Sequence, residues 1–529
     1  MPINNKTSKI YLVGGGIASL AAAAYLIKDG RVRGKNITIL AEAEKIGGAL
    51  DAQYSNPLGG YVMRGIRMFE EKAFACAFDL MSLIPSLASP GKTIREEFVD
   101  FNKKNKTHSK SRLLKSAKAI NLKPLKLNSK DRLKILNLIL RSESSLQNLA
   151  IKDYFSASFF KSNFWYEFCT VFAFQPWHSL MEFRRYFIRF IQSFPNIDTL
   201  ETIEIAPYNQ YESVILPMIN WLKKQGVNFA TNTKVTNLGF DLNQGKKTVN
   251  RIYFSQDKKP GEIIVAKNDY VLATLGSIVA NSSIGSMTKA PVLNLKNKSA
   301  AWTLWENIAK NNPEFGKPKV FNSHIDKSNW TSFTVTFREP TFFNLIQKFI
   351  NKKVNGFGGV SLIDSNWFLS IVLSYRPYFL NQPKKVTLCW GFGLFPNKKG
   401  NYIKKKMSNC SGEEILTELI HHLGFKKYLD KIIKSSVCIP CLTPYVTSQF
   451  LPRAAGDRPS VIPKNSTNFA FLGQYCEIPD DVVFTMEYSI RSAQIAVYSL
   501  LGLKKKVTPI YRGTHHLKVL YQALKTALR

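Results

Sequence analysis

The hydrophobic pattern of the first fifty residues predicts a strand, a helix and a second strand in succession. An apolar run at 10–13 is rich in strand-forming side chains, an alanine-rich apolar stretch at 20–27 is helical in character, and a second strand-like run at 37–40 ends just before Glu42. The first strand and the helix are joined by a glycine turn, Gly14-Gly15-Gly16. This order is typical of a βαβ unit that binds a dinucleotide.

Each part of this unit has a physical role. Gly14 allows the tight turn, and Gly16 lets the backbone approach a pyrophosphate closely. The start of the helix offers unpaired N–H groups and the positive end of the helix dipole to the phosphates. A small residue, Ala18 or Ser19, permits close packing of the helix on the strand, and Glu42 is placed to accept hydrogen bonds from a ribose.

Two further glycine-containing segments favour FAD over NAD as the dinucleotide. The pair Gly47-Gly48 follows the second strand, where large FAD-binding proteins extend their phosphate and ribose contacts. Near the other end of the chain, an apolar strand ends at Gly473 and precedes a predicted helix at 483–501. In such folds this strand returns to the N-terminal sheet, and its helix points towards the flavin. The alternative interpretation is an ordinary buried strand and helix.

These signals lie at the two ends of the chain and enclose a large insertion. The predicted fold class is therefore α/β: an FAD-binding, Rossmann-like βαβ domain with an inserted mixed α+β substrate domain and a helical lid and C-terminal region. The predicted boundaries are 1–80 and 461–505 for a discontinuous FAD-binding domain with further strands from 225–280, 81–224 for a helical lid and substrate region, 281–460 for the substrate-binding domain, and 506–529 for a C-terminal amphipathic helix. Among the strands of 225–280, Val235 takes the position at which such flavoproteins contact adenine.

Aromatic side chains are concentrated between 154 and 194. With 45% hydrophobic and 12% aromatic residues, the 529-residue chain can build more than one packed core. Any single aromatic residue of this segment is best interpreted as core. The segment as a whole is equally suited to form a wall around a long apolar ligand.

The net charge of +36 is unevenly distributed along the chain. Within the basic segment 101–134, twelve lysines or arginines accompany a single acid, Asp131. Two interpretations stay open: a solvated basic surface, or attraction to an anionic membrane surface. The leucines at helical spacing in 514–529 leave the same choice between a packed helix and a membrane-surface helix. No zinc finger, RNA-recognition signature or basic zipper pattern is present, so no nucleic-acid partner is predicted.

The cysteines and the N-terminus indicate the compartment. Seven scattered cysteines do not resemble a disulfide framework and favour a reducing environment. The polar first eight residues predict no secretory signal, and no apolar run reaches the roughly 18–20 residues that span a bilayer. Cys438 and Cys441 have no second pair at zinc spacing, so no metal site is predicted. We expect a cytoplasmic protein that is at most peripheral to the inner face of the membrane.

Seven separated segments, in the same order, resemble one known family, the oleate hydratases, once called myosin-cross-reactive antigens. The segments are 14–24, 60–65, 162–165, 177–179, 208–213, 456–459 and 484–491. The resemblance implies a redox-neutral addition of water to the cis-9 double bond of unsaturated fatty acids, which converts oleate to 10-hydroxystearate. It implies FAD as the cofactor, with FADH2 as its more active form. It also implies a long-chain unsaturated fatty acid as the ligand, peripheral contact with a membrane, and a monomer or homodimer.

The resemblance further implies roles for individual residues. It places the proton-donating tyrosine at Tyr186, where the adjacent Arg184 and Arg185 are expected to supply a cationic field. It places Gln210 in the substrate pocket. The cofactor-binding positions that it adds to those already named are Arg64, Gly65, Arg67 and Thr485.

One position in the family's flexible loop departs from the family pattern. The glutamate that is taken to handle the water is replaced by Met68, whose thioether cannot accept a proton from water. Ile66 replaces a glycine of the same loop, which reduces its backbone freedom. Three outcomes stay open: Glu70 takes over, an ordered water reacts without a strong base, or the hydratase activity is weak or lost.

A second departure lies where the family holds the substrate carboxylate. By register, this chain has Val372, Ser374 and Tyr378 at positions that are often Thr, Asn and His. Ser374 and Tyr378 are still able to donate hydrogen bonds, and Arg376 is a candidate for the charge. Two alternatives to a hydratase therefore stay open. One is a flavin-dependent fatty acid double-bond isomerase or oxidoreductase, and the other is a catalytically weak fatty-acid-binding flavoprotein.

Overall fold

A computed structural model describes residues 7–109, 112–122, 124–296, 298–347, 349 and 358–527 of the chain. At its centre is a five-stranded parallel sheet with the spatial order Phe469–Leu472, Tyr270–Thr274, Ile10–Val13, Ile37–Leu40 and Asn228–Ala230. Parallel strands are covered on both faces, which explains why the central strands are apolar at nearly every position. The predicted α/β class with a Rossmann-like unit is confirmed.

Two helices pack together beside this sheet. The helix Ile17–Lys28 contacts the strands Ile10–Val13 and Tyr270–Thr274, and it packs against the helix Met486–Leu500. The first ten residues of Ile17–Lys28 are buried, since its alanines let neighbouring elements approach closely. This helix begins at Ile17 rather than at 20, because Gly16 has an extended conformation and forms its N-cap.

The helix Met486–Leu500 begins three residues later than predicted. Phe484 lies in the left-handed region with φ +65°, so the helix cannot include it. The extended Thr485 then caps the helix, and its Oγ1 accepts a hydrogen bond from Tyr488 N at 3.2 Å.

A second, larger sheet lies in the inserted part of the chain. Its spatial order is Ser283–Ile284, Ser436–Thr443, Trp330–Phe337, Thr387–Gly393, Leu369–Leu373, Gly358–Leu362, Leu113–Lys115 and Lys118–Ala119. Neighbours are antiparallel except for the parallel pair Gly358–Leu362 and Leu113–Lys115. One face forms a separate core with the helix Gly412–His422. The other face meets the N-terminal part of the chain, where Thr336 Oγ1 accepts a hydrogen bond from Tyr61 N at 2.9 Å.

Three smaller ladders complete the strands. A three-stranded antiparallel sheet consists of Thr233–Asn243, Lys246–Gln256 and Lys259–Ile264. A hairpin is formed by Ala52–Ser55 and Gly60–Met63. The short strand Met68–Phe69 pairs with Glu204–Ile205, so the loop that departs from the family pattern is held by a segment more than 130 residues away.

The other α-helices of the described chain surround these sheets. They are Ala75–Met81, Ile94–Lys104, Ser129–Leu140, Ile151–Tyr154, Asn163–Phe172, Leu180–Arg189, Leu216–Lys224, Ala300–Ala309, Lys319–Asn322, Ile325–Ser328, Thr341–Ile346, Gly412–His422, Leu429–Lys434 and Leu517–Ala527. The aromatic segment forms two of them, Asn163–Phe172 and Leu180–Arg189, whose rings pack against each other; the ring centres of Phe168 and Phe183, for example, are 4.8 Å apart.

The predicted C-terminal helix at 506–529 is observed over Leu517–Ala527, and 528–529 lie outside the described residues. It contacts the turn Ile191–Asn196, while Leu517 and Tyr521 are 85% and 67% exposed. Within the described ranges, no helix is both long and apolar enough to cross a membrane.

Candidate active site

A cleft of about 560 Å³ lies at the carboxyl ends of the parallel strands. It is lined by the glycine turn after Ile10–Val13, by the segment that follows Ile37–Leu40, and by residues at the start of Thr233–Asn243. The end of the chain contributes Gly473 and the N-terminal turn of Met486–Leu500. The parallel sheet therefore brings together residues from both ends of the chain.

Most predicted cofactor residues line this cleft. They are Gly14, Gly15, Gly16, Ala18, Glu42, Gly47, Gly48, Arg64, Arg67, Val235 and Gly473. Gly65 lies between two of the lining residues, and its φ of +150° is one that glycine adopts far more readily than other residues. Thr485 lies between the lining residues Phe484 and Met486 and acts as a helix cap.

The glycine turn is shaped for a ligand that approaches the backbone. Gly14 has φ +112°, and a Cβ atom there would lie 3.0 Å from the Thr274 side chain. At Gly16 the same test finds no protein atom within 4 Å, so the space beside its Cα is open to the cleft. Gly47 N donates to Gly15 O at 2.9 Å and fixes the second glycine pair against the first turn.

Glu42 lines the cleft and also has protein partners. Its carboxylate accepts hydrogen bonds from Ser299 Oγ at 3.0 Å and Ala300 N at 3.1 Å, at the start of the helix Ala300–Ala309. Lys234 Nζ lies 4.0 Å from the same carboxylate. A ribose at this position would share Glu42 with the N-terminus of that helix.

Tyr186 is buried at the inner side of the helix Leu180–Arg189, with 2% of its surface exposed. Its hydroxyl donates to the carbonyl of Val483. Burial raises the pKa of this phenol well above its usual value, and the negative charges of Glu182 and Asp481 add to the rise. Arg189 and Arg67 oppose it.

Arg184 and Arg185 were expected to supply the cationic field at Tyr186, but both side chains have other partners. Arg184 donates to the carbonyls of Leu138 and Ile139 at 3.0 Å. Arg185 pairs with carboxylates that are described below. Residues adjacent in a helix point in different directions, so the cations that act on Tyr186 are Arg189, which is three residues further along the helix, and Arg67.

Arg67 is the cation at the meeting point of the predicted residues. Its guanidinium carbon lies 5.5 Å from the centre of the Phe484 ring, and its Nη2 donates to Ala49 O at 3.3 Å. Burial lowers the pKa of this guanidinium, while Tyr378 and Tyr186 raise it. Arg67 thus interacts electrostatically with the predicted proton donor and with a predicted substrate-binding residue.

Gln210 connects the loop that carries Arg67 to the substrate side. In the amide orientation that satisfies both polar atoms, its nitrogen donates to Gly65 O at 3.1 Å and its oxygen accepts from Arg67 N at 3.2 Å. Gln210 immediately precedes a π-helical turn at Tyr211–Ile215, a feature that is frequent at functional sites. Tyr378 is buried nearby; burial raises the pKa of its phenol, and Gln210 and Arg67 oppose the rise.

The other predicted substrate residues differ in their environment. Ser374 is buried, and its hydroxyl donates to Leu388 O at 3.5 Å. Val372 lies on the strand Leu369–Leu373 opposite Trp390. Arg376, the expected source of charge for a carboxylate, is exposed to solvent instead, because the chain leaves the sheet after Leu373.

Met68 and Glu70 are both outside the cleft lining. Met68 is half-buried opposite Ile205 in the short ladder. Glu70 is 8% exposed, and its two oxygens accept hydrogen bonds from Gln192 Nε2 at 2.7 Å and Ser193 Oγ at 2.8 Å. Burial raises the pKa of this carboxyl, and these hydrogen bonds oppose the rise.

A network of buried ion pairs surrounds Tyr186, and sequence reasoning assigned a role to only one of its members, Arg185. In one half, Glu182 lies 3.0 Å from Arg453 and 3.1 Å from Arg458, and Glu477 lies 2.8 Å from Arg185 and 2.7 Å from Arg453. A signal was present for three members only, because Arg458, Glu487 and Arg491 lie in the segments 456–459 and 484–491 that resemble the family.

The other half of the network centres on Asp481, which has no exposed surface. Its carboxylate pairs with Arg189 of the Tyr186 helix and accepts from Arg491 Nε of the helix Met486–Leu500 at 2.8 Å. Arg491 also pairs with Glu487. Asp481 therefore connects the helix that carries Tyr186 to the helix whose N-terminus lines the cleft.

The described residues contain no group of three or more His, Cys, Asp or Glu side chains that could hold a metal ion. All seven cysteines are buried and free.

Comparisons with known proteins identify relatives across nearly the whole chain. A sequence model described as the MCRA family matches residues 7–498. The chain is 36% identical over 524 residues to a protein named oleate hydratase from Streptococcus pyogenes serotype M49 (strain NZ131), covering 97% of this chain and 88% of the relative. It is 33% identical over 540 residues to a protein named linoleate hydratase from Lactiplantibacillus plantarum, covering 94% of each chain.

Solved structures share the fold at low sequence identity. A putrescine oxidase has a TM-score of 0.52 at 11% identity and covers 94% of this chain and 99% of its own. Cyclohexylamine oxidase from Brevibacterium oxydans IH-35A has a TM-score of 0.52 at 11% identity, with coverage of 95% and 99%. At this identity the similarity shows the fold alone.

The buried network predicts a measurable pH dependence of stability. Burial alone would raise the pKa of Glu477, but Arg185, Arg453 and Arg458 outweigh it and lower the pKa from 4.5 to about 2. The ionised carboxylate therefore contributes stability that is fully present above pH 4.5 and is lost as the pH falls towards 2. The full contribution is about 3 kcal/mol.

Urea unfolding between pH 5 and pH 3 tests this contribution. We expect the free energy of unfolding of Glu477→Gln to fall less steeply with decreasing pH than that of the wild type. Glu262→Gln, which alters an exposed pair with Arg251 at 2.9 Å, should keep the wild-type slope. Equal slopes for Glu477→Gln and wild type would contradict the assignment.

Proposed function

The chain belongs to the MCRA family, and from that premise we propose that it is an FAD-dependent hydratase of long-chain unsaturated fatty acids. The reaction adds water across the cis-9 double bond, so that oleate becomes 10-hydroxystearate, with no net oxidation or reduction. The relatives named oleate hydratase and linoleate hydratase support this substrate class.

The observation that carries the proposal is the position of Arg67. It lines the cleft, faces the Phe484 ring, and acts electrostatically on both Tyr186 and Tyr378. Arg67 thus connects the cleft that suits a dinucleotide to a buried proton donor and to a buried candidate substrate-binding hydroxyl.

The cleft fits FAD. The open space beside Gly16 and the N-terminus of the helix Ile17–Lys28 suit a pyrophosphate, because backbone N–H groups and the helix dipole favour negative charge there. Glu42 would accept hydrogen bonds from the adenosine ribose, and Val235 would contact the adenine. Gly47, Gly48 and Arg64 would extend the contacts towards the flavin ring.

The ring end of the cofactor would lie among Gly65, Arg67, Gly473 and the Thr485-capped helix. When bound, the flavin supplies a shaped, electron-rich surface that organises this side of the site, most effectively as FADH2. Every proton transfer below is assigned to side chains of this chain and to water.

Tyr186 is the proposed acid of the reaction. Its hydroxyl gives up the hydrogen bond to the Val483 carbonyl and protonates one alkene carbon, C9 of oleate. Arg67 and Arg189 stabilise the phenolate that forms, since both already lower the pKa of this group. The water oxygen bonds to C10, and the surplus proton of that water restores the phenol through solvent, so atoms and charges balance.

In this series of reaction steps, the attacking water needs no separate strong base to take its proton. Met68 cannot accept a proton, and the Glu70 oxygens are held by Gln192 and Ser193 away from the cleft lining. Of the three outcomes that the sequence leaves open, the arrangement of these side chains favours an ordered water that reacts without a strong base. The substrate carboxylate is assigned to the side of Gln210, Ser374 and Tyr378, where hydroxyl and amide groups replace charge.

An anionic membrane surface is a second proposed partner. The helix Ser129–Leu140 exposes Leu133 and Leu140 by 66% and 85% of their surfaces, beside the exposed Lys130. The helix Leu517–Ala527 adds the exposed Leu517 and Tyr521. Apolar side chains next to cations are the combination that binds a negatively charged lipid surface.

Gly16→Ala separates cofactor binding from folding. No protein atom lies within 4 Å of the added Cβ, so the cofactor-free variant should unfold with the wild-type free energy, within about 0.5 kcal/mol. The methyl group enters the space assigned to the pyrophosphate, so the dissociation constant for FAD should rise about tenfold or more. Gly359→Ala, whose Cβ meets its nearest atom at 4.0 Å outside the cleft, should change neither quantity. Wild-type FAD affinity in Gly16→Ala would exclude this placement.

Anaerobic turnover of oleate with FAD and a reductant, followed by mass spectrometry, tests the reaction. Tyr186→Phe should lower the rate about a hundredfold or more. The control Tyr25→Phe, which removes another buried phenol hydroxyl, should retain activity. A Tyr186→Phe variant as active as the wild type would contradict the proposed role of the phenol as proton donor.

Vesicle co-sedimentation tests the membrane partner. We expect binding to phosphatidylglycerol vesicles that weakens with added salt, and little binding to phosphatidylcholine vesicles. Leu133→Ser combined with Leu140→Ser should reduce the binding, whereas Leu242→Ser, which alters a leucine that is 68% exposed on a different element, should not. Equal binding to both lipids would contradict an electrostatic contribution to membrane binding.

A further inference from the structure

Arg67 carries a positive charge that no carboxylate balances. Arg189 and Arg491 pair with carboxylates of the buried network. In the part of the chain that the structure describes, no carboxylate oxygen lies within 4.0 Å of the Arg67 guanidinium. The ionisable groups that act on it are the phenols of Tyr186 and Tyr378, whose pKa values are raised by burial, so both are uncharged near neutral pH.

This unbalanced cation faces the cofactor cleft. Arg67 is half-buried and lines the cleft, as does Arg64, which likewise has no carboxylate within 4.0 Å among the described residues. Gly65 lies between the two arginines, and a Cβ atom there would lie 3.3 Å from Arg67 Nη1. Because glycine has no side chain, a planar ligand is able to approach this side of the guanidinium closely.

The carboxylates among the lining residues of the cleft already have cationic partners. They belong to Glu42 and Asp51. Asp51 pairs with Lys45, and Glu42 lies 4.0 Å from Lys234 Nζ. Neither carboxylate is therefore available to Arg67, and this side of the cleft keeps a positive potential.

The helix Met486–Leu500 adds to this potential. Met486 and Ser489 line the cleft, so the first turn of the helix faces it. The acid of that turn, Glu487, is 1% exposed and is not a lining residue. Its carboxylate accepts a hydrogen bond from Cys76 N at 3.0 Å instead. The positive end of the helix dipole therefore reaches the cleft without an acid to offset it.

We propose that this side of the cleft holds the reduced cofactor as an anion, and that Arg67 is the residue on which the anionic form depends. The position of the flavin ring among these residues rests on the proposed function. A reductant such as dithionite, which is oxidised to sulfite, supplies two electrons, and one proton is taken up at N5 of the ring. N1 stays without a proton, so the ring gains one negative charge.

An unbalanced cation affects both protonation and binding. In water, N1 of a reduced flavin takes up a second proton in mildly acidic solution, and a nearby positive charge opposes that uptake. The same charge attracts the anion more strongly than the neutral oxidised ring. The protein should therefore bind the reduced cofactor more tightly than the oxidised one, and by linkage the bound cofactor should be easier to reduce than the free one.

The number of protons taken up on reduction tests the anionic form without turnover. It is obtained from the change of the reduction potential of the bound cofactor with pH, measured between pH 5 and pH 6 against reference dyes. We expect one proton per two electrons for the wild type and two for Arg67→Gln. Arg67→Lys keeps the positive charge and should keep the uptake at one proton.

Anaerobic titrations with oxidised and reduced FAD give an independent test. Arg67→Gln should lower the preference for the reduced form about tenfold or more. The control Lys234→Gln removes a positive charge from the lining residues beside Glu42. It should weaken the binding of both forms alike and change the preference by no more than about twofold. Thermal unfolding checks the fold of each variant; if Arg67→Gln does not fold, the wild type and Arg67→Lys still decide the proton count.

The outcomes separate an anionic reduced cofactor from the proposed reaction. Two protons per two electrons in the wild type, or an equal loss of preference in Arg67→Gln and Lys234→Gln, would overturn the role of Arg67. One proton per two electrons in a protein that does not hydrate oleate would support that role and overturn the hydratase. Hydration by a protein that takes up two protons would do the reverse, and a protein that binds no FAD would overturn both.

Discussion

The buried ion pairs between the helix Leu180–Arg189 and the segment 477–491 fix the geometry on which the site depends. A charged group that is removed from water is strongly destabilising unless it has partners, so the carboxylates of Glu182, Glu477 and Asp481 must meet their arginines. These contacts leave little freedom to the residues between them. The constrained segment includes Val483, whose carbonyl accepts the hydrogen bond of the Tyr186 hydroxyl, and Phe484, whose ring faces the Arg67 guanidinium. The proton donor and the cofactor side are therefore parts of one rigid arrangement.

Local pattern was sufficient to predict the dinucleotide unit. Strand, glycine turn and helix are adjacent in sequence, and each is recognised by residue type alone, as at Gly14 and Gly16. The return of the final strand to the N-terminal sheet also follows from a known topology, and Phe469–Leu472 occupies the edge next to Tyr270–Thr274. Helix ends were less predictable. The start of Met486–Leu500 depends on the left-handed Phe484, which no propensity of phenylalanine indicates.

The electrostatics of the site could not be predicted from sequence, because the partners are far apart along the chain. Arg184 and Arg185 are next to Tyr186 in sequence, yet the helix directs them to other partners, and the field comes from Arg189 and Arg67. The bridge from Arg189 to Asp481 joins residues 292 positions apart. Similarly, Glu70 was a reasonable substitute for the missing acid until its oxygens were located at Gln192 and Ser193. Residue type shows which chemistry is available, and only the folded chain shows which groups are free to perform it.

Addition of water to the cis-9 double bond is the central claim, and isotopic labelling of the product tests it most directly. Oleate would be incubated with the wild-type protein, FAD and a reductant in deuterated water that contains oxygen-18, and the product would be analysed by mass spectrometry. We expect one oxygen-18 atom in a hydroxyl group at C10 and one non-exchangeable deuterium at C9, because the Tyr186 proton exchanges with solvent before it is transferred. A product with a shifted double bond and no added oxygen, or no product from oleate that is bound, would contradict the hydratase assignment.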